Sequence, residues 1–166
     1  MSKNKLLITF FIILGILTRL IPHPPNFTAI GAIAVFGGAY ISDKKLSFII
    51  PTIIMLISDL LLGYEIQLSV YVSFILMVGC GFLLKKNIKT KNIISIAFLS
   101  SIIFFIITNF QVFLTSNMYS NDINGLFQCY LLAIPFFTNT LLGNIFYSLL
   151  IFHAFDYVKS QLLVLN

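Results

Sequence analysis

Apolar residues dominate this chain in long runs that short polar stretches separate. The runs predict helices at about residues 5–21, 28–41, 46–62, 67–84, 93–114 and 136–157. Most of them approach the roughly 20 residues that an α-helix needs to cross about 30 Å of hydrocarbon, and transmembrane β-strands would alternate instead. The pattern therefore predicts an all-α, polytopic membrane protein in which residues 1–166 form a single domain of six transmembrane helices.

The composition favours the same class. Hydrophobic residues make up 59% of the chain and charged residues only 9%, which is outside the balance of soluble domains. The first run follows Lys3 and Lys5, as a secretory signal would, but no small-residue cleavage site comes after it. We therefore expect it to be retained as a helix.

The lysines predict the topology. The second run, residues 28–41, would be only about 21 Å long at 1.5 Å per residue, which is short for a membrane crossing. If all six runs cross, however, the nine lysines lie on one side of the membrane, as the positive-inside tendency requires. We therefore expect six crossings with both termini in the cytoplasm.

Polar residues gather at the opposite, lysine-free side, where nearly every element contributes some. Polar groups near hydrocarbon are costly unless they face water or the interior of a bundle, so the sequence predicts a wet cavity that opens outward. We expect it to bind a small-molecule substrate. The predicted ligand-binding residues are Arg19, His23, Asn26, Asp59 and Asn109.

Two roles stay open for the charged and proline-rich residues. Arg19 is the only arginine, and Asp59 is the carboxylate most deeply embedded in apolar sequence. They form either a structural pair that locks two helices or a site for a charged or amide-bearing ligand. His23 lies between prolines that restrict the backbone, in either a rigid connector or a cavity wall. Asn139 and Asn144, in the last run, are expected to form interhelical hydrogen bonds.

The second run is rich in alanine and glycine. Ala34 and Gly38 form a small-xxx-small pair that lets another helix approach closely, either within the chain or on a partner membrane subunit. Between the fifth and sixth runs, residues 115–134 are expected to lie along or dip into the outer surface, with a break at Pro135.

Other classes of function find little support. The net charge of +5 does not indicate nucleic-acid binding, because the lysines are scattered between apolar runs. Cys80 and Cys129 lack the spacing of a zinc site or a disulfide framework. No HExxH sequence, nucleophile elbow or phosphate loop is present, so we expect no catalytic residue, metal or cofactor. An intramembrane enzyme that uses Asp59, Glu65 or Asp122 is a minor alternative.

Several motifs resemble a family of small bacterial membrane proteins of unassigned function, which in turn looks like the substrate-binding S components of energy-coupling factor (ECF) transporters. The matching positions are Arg19, Pro22-His-Pro-Pro-Asn-Phe27, Ala34-Val-Phe-Gly-Gly-Ala39, Ser58-Asp59, Thr108-Asn-Phe110 and Pro135-Phe-Phe137.

The resemblance implies a six-helix bundle in the bacterial inner membrane that captures a vitamin or related micronutrient from outside. It also implies a transmembrane coupling subunit, which Ala34 and Gly38 would contact, and separate ATPases. The alternative is a structural or assembly subunit of a membrane complex.

Overall fold

The computed structural model describes the backbone of residues 3–164 and the side chains of residues 8–160. Within this range the chain is helical and contains no strand. The helices are α1 (Lys3–Leu20), α2 (Ile30–Tyr40), α3 (Lys44–Leu62), α4 (Leu68–Leu84), α5 (Thr90–Thr115), α6 (Ile123–Leu132) and α7 (Ile134–Val164).

Three of the described helical segments are long and apolar enough to cross a membrane. They are Lys44–Leu62, Thr90–Thr115 and Ile134–Ser160. The prediction of an all-α membrane protein is confirmed. Six helices long enough to cross a membrane were predicted, however, and three are found among the described segments. The apolar segments Ile30–Tyr40 and Leu68–Leu84 are shorter, and in α1 the side chains are described only from Ile8 to Leu20. Helix α2 is shorter than the predicted run because the turn after α1 continues to Ala29 and the backbone is extended at Ile41.

Contacts between helix ends define the two ends of the bundle. At one end Arg19, near the end of α1, bonds to Asp59, near the end of α3. We call this the arginine end. At the other end Tyr40, the last residue of α2, bonds to Asp156 of α7. The second end, the lysine end, carries Lys44, Lys45, Lys85, Lys86, Lys89, Lys91 and Lys159.

Helix α2 lies at the centre of the bundle, where it contacts α1, α3, α4, α5 and α7. All ten residues from Ile30 to Ala39 are buried. Its closest neighbour is α4: a Cβ atom added to Gly38 would collide with the carbonyl of Val78, and one added to Gly81 would collide with the carbonyl of Val35. Only small residues permit this approach, which explains the alanine and glycine content of α2.

This packing places Ala34 and Gly38, for which a partner-docking role was predicted, inside the bundle. Ala34 has no exposed surface, and Gly38 is buried against α4. A partner helix could not reach either residue without displacing neighbouring helices. The pair does pack within the chain, and its docking to a partner subunit stays a prediction.

The outside of the bundle is apolar. Its exposed large side chains include Leu60, Leu68, Phe98, Phe127 and Phe146. Extended apolar surface of this kind is typical of a protein that contacts lipid rather than water. The exterior and the three long helices both indicate a membrane protein.

Helix α6 is an element that the sequence analysis did not assign. It begins at Asp122, whose Oδ1 accepts a 2.7 Å hydrogen bond from the backbone N–H of Gly125, a standard N-cap. Ala133 separates α6 from α7. Pro135 lies in the first turn of α7, where its missing N–H is not needed. The break predicted at Pro135 therefore lies two residues earlier.

Candidate functional site

A cavity of about 820 Å³ lies at the arginine end. Residues of α1 to α5 and α7 line it, together with the segments that follow α1 and α3. This volume is within the range of small-molecule sites. The polar lining residues are Arg19, His23, Asn26, Thr28, Asp59, Glu65, Gln67, Thr140 and Asn144. The deeper apolar ones include Met55, Val70, Phe74, Met77 and Phe104.

An ion pair between α1 and α3 forms one wall of the cavity. Nη1 of Arg19 lies 2.6 Å from Oδ1 of Asp59 and 2.7 Å from Oγ of Ser58. The hydroxyl of Tyr71, in α4, donates to Oδ2 of Asp59 at 2.9 Å. The carboxylate thus has both oxygens engaged by the protein, whereas the hydrogen bonds of Arg19 to described residues all start from Nη1. Nε and Nη2 are left to serve another acceptor.

The loop after α3 covers the ion pair. Helix α3 ends at Gly63, which has a φ of 69°, a left-handed conformation that glycine adopts without strain. The ring of Tyr64 then lies with its centroid 5.7 Å from Cζ of Arg19, within range of a cation–π interaction. Glu65 follows on the cavity lining, exposed and without an ion pair to any described side chain.

The proline-rich segment after α1 folds into a compact turn. Nδ1 of His23 lies 2.7 Å from the carbonyl oxygen of Pro24. Because a carbonyl only accepts, Nδ1 carries the proton, and Nε2 stays available. Asn26 has a φ of 65°, and the backbone N–H of Ala29 donates to Oγ1 of Thr18 at 3.2 Å. These bonds anchor the turn to α1 while His23 and Asn26 line the cavity.

The inner part of the cavity contains an amide that connects two helices. Nδ2 of Asn144, in α7, donates to Oγ of Ser101, in α5, at 2.9 Å. A Cβ atom added to Gly31 would collide with Oδ1 of Asn144, so α2 can approach α7 here only with glycine. The interhelical hydrogen bond predicted for Asn144 is confirmed, and the same side chain lines the cavity. The one predicted for Asn139 is not found with any described residue.

A second cavity of about 290 Å³ adjoins the first and shares five lining residues with it, Asn26, Gln67, Val70, Phe104 and Thr140. Asn109 and Cys129 line this cavity. Nδ2 of Asn109 donates to the carbonyl of Phe105 one turn earlier in α5, and Sγ of Cys129 lies 3.5 Å from the carbonyl oxygen of Asn109. Helix α6, which carries Cys129, thus closes this side of the bundle.

A sequence profile described as a family of unknown function, DUF6580, matches residues 1–165. The chain belongs to this family. No curated protein and no solved structure matches the chain significantly. The description of the DUF6580 family names no ligand or reaction.

The DUF6580 chain brings most of its predicted ligand-binding residues together. Arg19, His23, Asn26 and Asp59 line the larger cavity. Asn109 lines only the smaller one, because it lies on the part of α5 that faces α6. The Arg19–Asp59 pair does lock two helices, and it also borders the cavity. Its two proposed roles are therefore compatible in one structure.

Sequence reasoning missed the aromatic and thioether lining. Phe74, Phe104, Met55 and Met77 stand in apolar runs and are indistinguishable there from residues that face lipid. The sequence weakly indicated Tyr64, because this residue follows a glycine at the end of a predicted helix, on the side of the membrane without lysines. Its contact with Arg19 depends on the left-handed turn at Gly63.

The arrangement is suited to binding. Among the described residues, no group of three or more His, Cys, Asp or Glu side chains could hold a metal ion. Asp59 and Glu65 line the larger cavity, whereas Asp122 caps α6 and lines neither cavity. The three carboxylates considered for an enzyme therefore do not meet at one point.

Proposed function

We propose that this protein is a membrane-embedded solute-binding protein, similar in role to an ECF S component, that takes up a vitamin or related micronutrient. The observation that carries the proposal is the cavity at the arginine end. It combines a guanidinium held in place by Asp59 with an apolar interior built from Met55, Phe74, Met77 and Phe104. Convergent polar groups over an apolar pocket are typical of small-molecule sites.

The proposal places α1 to α5 and α7 across the bacterial inner membrane, with the lysine end and both termini in the cytoplasm. Its support is the separation of the lysines from the cavity. The shortness of α2 fits this arrangement, because neighbouring helices surround α2 and bury all but its last residue. A helix shielded from lipid does not need to match the full hydrocarbon thickness.

Each polar lining residue has a role in the proposed complex. Arg19 donates from Nε or Nη2 to an oxygen of the ligand, while Asp59 fixes the guanidinium through Nη1. Nε2 of His23 and the amide of Asn26 contact the ligand from the proline-rich turn. The apolar body of the ligand lies on Phe74 and Phe104. Asn109 contacts only a ligand that extends into the smaller cavity.

Active uptake would require other subunits. The chain has no nucleotide-binding motif, so ATP hydrolysis would belong to partner ATPases, with a transmembrane coupling subunit between them and this protein. Because Ala34 and Gly38 are enclosed, that subunit would have to dock on one of the exposed helix faces.

The test is to identify small molecules that co-purify with the protein. A variant whose cavity is blocked serves as the reference. Val70 lines both cavities, whereas Val72, two residues later on α4, is 39% exposed and lines neither. Mass spectrometry of wild type, Val70→Trp and Val72→Trp should find a small molecule in wild type and Val72→Trp that Val70→Trp lacks. Capture would be rejected if all three folded proteins were repeatedly empty and a vitamin panel gave no thermal shift.

A further inference from the structure

The charges at the arginine end do not balance. Arg19 is the one arginine or lysine side chain among the described residues at that end, and it is paired with Asp59. Glu65 and Asp122 therefore have no arginine or lysine partner among those residues. Of these two carboxylates, Glu65 lines the larger cavity and Asp122 does not. With His23 neutral, the cavity lining contains one carboxylate beyond the one that Arg19 compensates.

The aromatic interior adds to this preference. The rings of Phe74 and Phe104 line the cavity with centroids 5.6 Å apart and planes at 50°. The face of an aromatic ring is electronegative and attracts cations, most strongly where water is excluded. Phe104 is partly exposed, whereas Phe74 is only 7% exposed, so the ring surface that a ligand can reach belongs mainly to Phe104 and is backed by Phe74. Met55 and Met77 are buried behind the lining and bring no charge to it.

An anion would find a poorer site. Arg19 could donate to it, but the charge of Arg19 is already compensated 2.6 Å away by Asp59. A second carboxylate in the same cavity as Glu65 would add a like-charge repulsion that is only partly screened near the membrane. Arg19 is better matched to a neutral oxygen, such as a carbonyl or hydroxyl.

We propose that the cavity binds a monocationic organic ligand, an ammonium or a positively charged heteroaromatic ring with an apolar body. The cation lies between Glu65 and the Phe74–Phe104 pair, and a neutral oxygen on the ligand accepts from Arg19. The inference rests on the proposed function and adds the charge of the ligand. It assigns to Glu65 the role of compensating that charge.

Three probes of similar size and different charge test the assignment: benzyltrimethylammonium, benzamide and benzoate. Binding is measured on the full chain in lipid nanodiscs by calorimetry. The cation should bind more tightly than the other two, and its affinity should fall as salt is raised. Glu65→Gln should weaken the cation about fivefold, the upper range for an exposed charge pair, and leave benzamide unchanged.

The matched control is Asp122→Asn. It removes the same charge from the same end but not from the cavity, and asparagine is as good an N-cap as aspartate. It should leave the affinity for the cation unchanged. An equal loss in Glu65→Gln and Asp122→Asn would overturn the site, because only the general field of the arginine end would then be acting.

The remaining outcomes separate this inference from the proposed function. Tighter binding of benzoate or benzamide overturns the cation site but leaves solute binding standing. If no probe binds, the molecule that co-purifies decides: an anionic or neutral one overturns the inference, and a cationic one supports it. If no probe binds and nothing co-purifies, both proposals fail.

Discussion

Burial makes Arg19 and Asp59 dependent on each other. Their side chains are 14% and 5% exposed, and each supplies the counter-charge that lets the other leave water. Removing one member of such a pair leaves an uncompensated buried charge, whereas removing both charges can be nearly neutral. The cost of a single substitution here should therefore exceed the cost of the double one.

We expect Arg19→Met to destabilise the protein by about 3 to 5 kcal/mol, because Asp59 would be left buried and unpaired. Arg19→Met/Asp59→Asn should recover most of this loss, since the asparagine can still accept from Tyr71. The measurement is unfolding in one detergent under identical conditions. Equal stability of the single and double variants would show that the pair is not coupled.

At the scale of residues, the sequence predicted the rare polar groups but not the apolar lining. Arg19, His23, Asn26 and Asp59 stood out because charged and turn-forming residues are unusual in this chain. Whether Phe104 faces lipid or the cavity depends on the rotation of α5 against α4 and α7. That rotation is decided by packing that no single run of residues encodes.

Two glycines on α4 have opposite consequences for the packing of the helices. A Cβ atom at Gly81 would meet the backbone of α2, while one at Gly79 would have no neighbour within 4 Å. Helix α2 cannot move aside without disturbing every helix around it. Comparing alanine substitutions at these two positions separates the effect of the close approach between α2 and α4 from the effect of helix propensity.

Gly81→Ala should therefore lower the unfolding temperature markedly, because backbone atoms cannot yield as a flexible side chain can. Gly79→Ala should match the wild type or exceed it by up to about 1 kcal/mol, since alanine is the better helix former. Thermal unfolding of both variants in one detergent is the measurement. Equal effects would mean that α2 and α4 do not meet closely at Gly81.

The N-cap of α6 makes a prediction about pH. The backbone N–H of Gly125, with the hydroxyl of Ser120, holds the pKa of Asp122 below its usual range. Since the folded pKa is the lower one, the stabilising contribution of the cap is complete above the unfolded pKa. It is lost as the pH falls through the folded pKa, which lies below the unfolded one.

The amide resonance of Gly125, followed by NMR as the pH is lowered, should report this titration with a midpoint below that of an unperturbed aspartate. Asp122→Asn should keep the helix and abolish the titration, because asparagine caps without a charge. A midpoint at or above the usual aspartate value would contradict the hydrogen bond to Gly125.

At the scale of elements, the sequence predicted every long helix to within a few residues at most ends. Helix α6 was not assigned because its ten residues are bounded by a polar stretch and by Ala133, and its apolar positions suit either a surface segment or a short helix. The cap at Asp122 was the available signal. Tertiary contact with α5 and α7 settles the conformation.

At the scale of the whole molecule, the sequence analysis counted crossings by length, and length alone misjudges a helix that other helices enclose. Within the part of the chain that the structure describes, three helices satisfy the length criterion that all six were expected to meet. What the sequence did show is the asymmetry of charge, because lysines and cavity residues fall on alternate connections between helices. The orientation of both ends relative to the membrane is therefore the property most worth measuring.

Single cysteines introduced at Ser42, Asn87 and Ser120 would measure that orientation. All three positions are exposed, and the native Cys80 and Cys129 are buried, so background labelling should be low. In intact bacterial cells a membrane-impermeant maleimide should label Ser120→Cys alone, and all three should react after permeabilisation. Labelling of Ser42→Cys but not Asn87→Cys in intact cells would mean that only one of α3 and α4 crosses. Labelling of Ser42→Cys and Asn87→Cys but not Ser120→Cys would place the lysine end outside, as expected if the N-terminus is inside and α2 does not cross. Equal labelling of Asn87→Cys and Ser120→Cys would exclude a crossing by α5. The proposed arrangement therefore requires Ser42 and Asn87 to behave alike and Ser120 to differ from both.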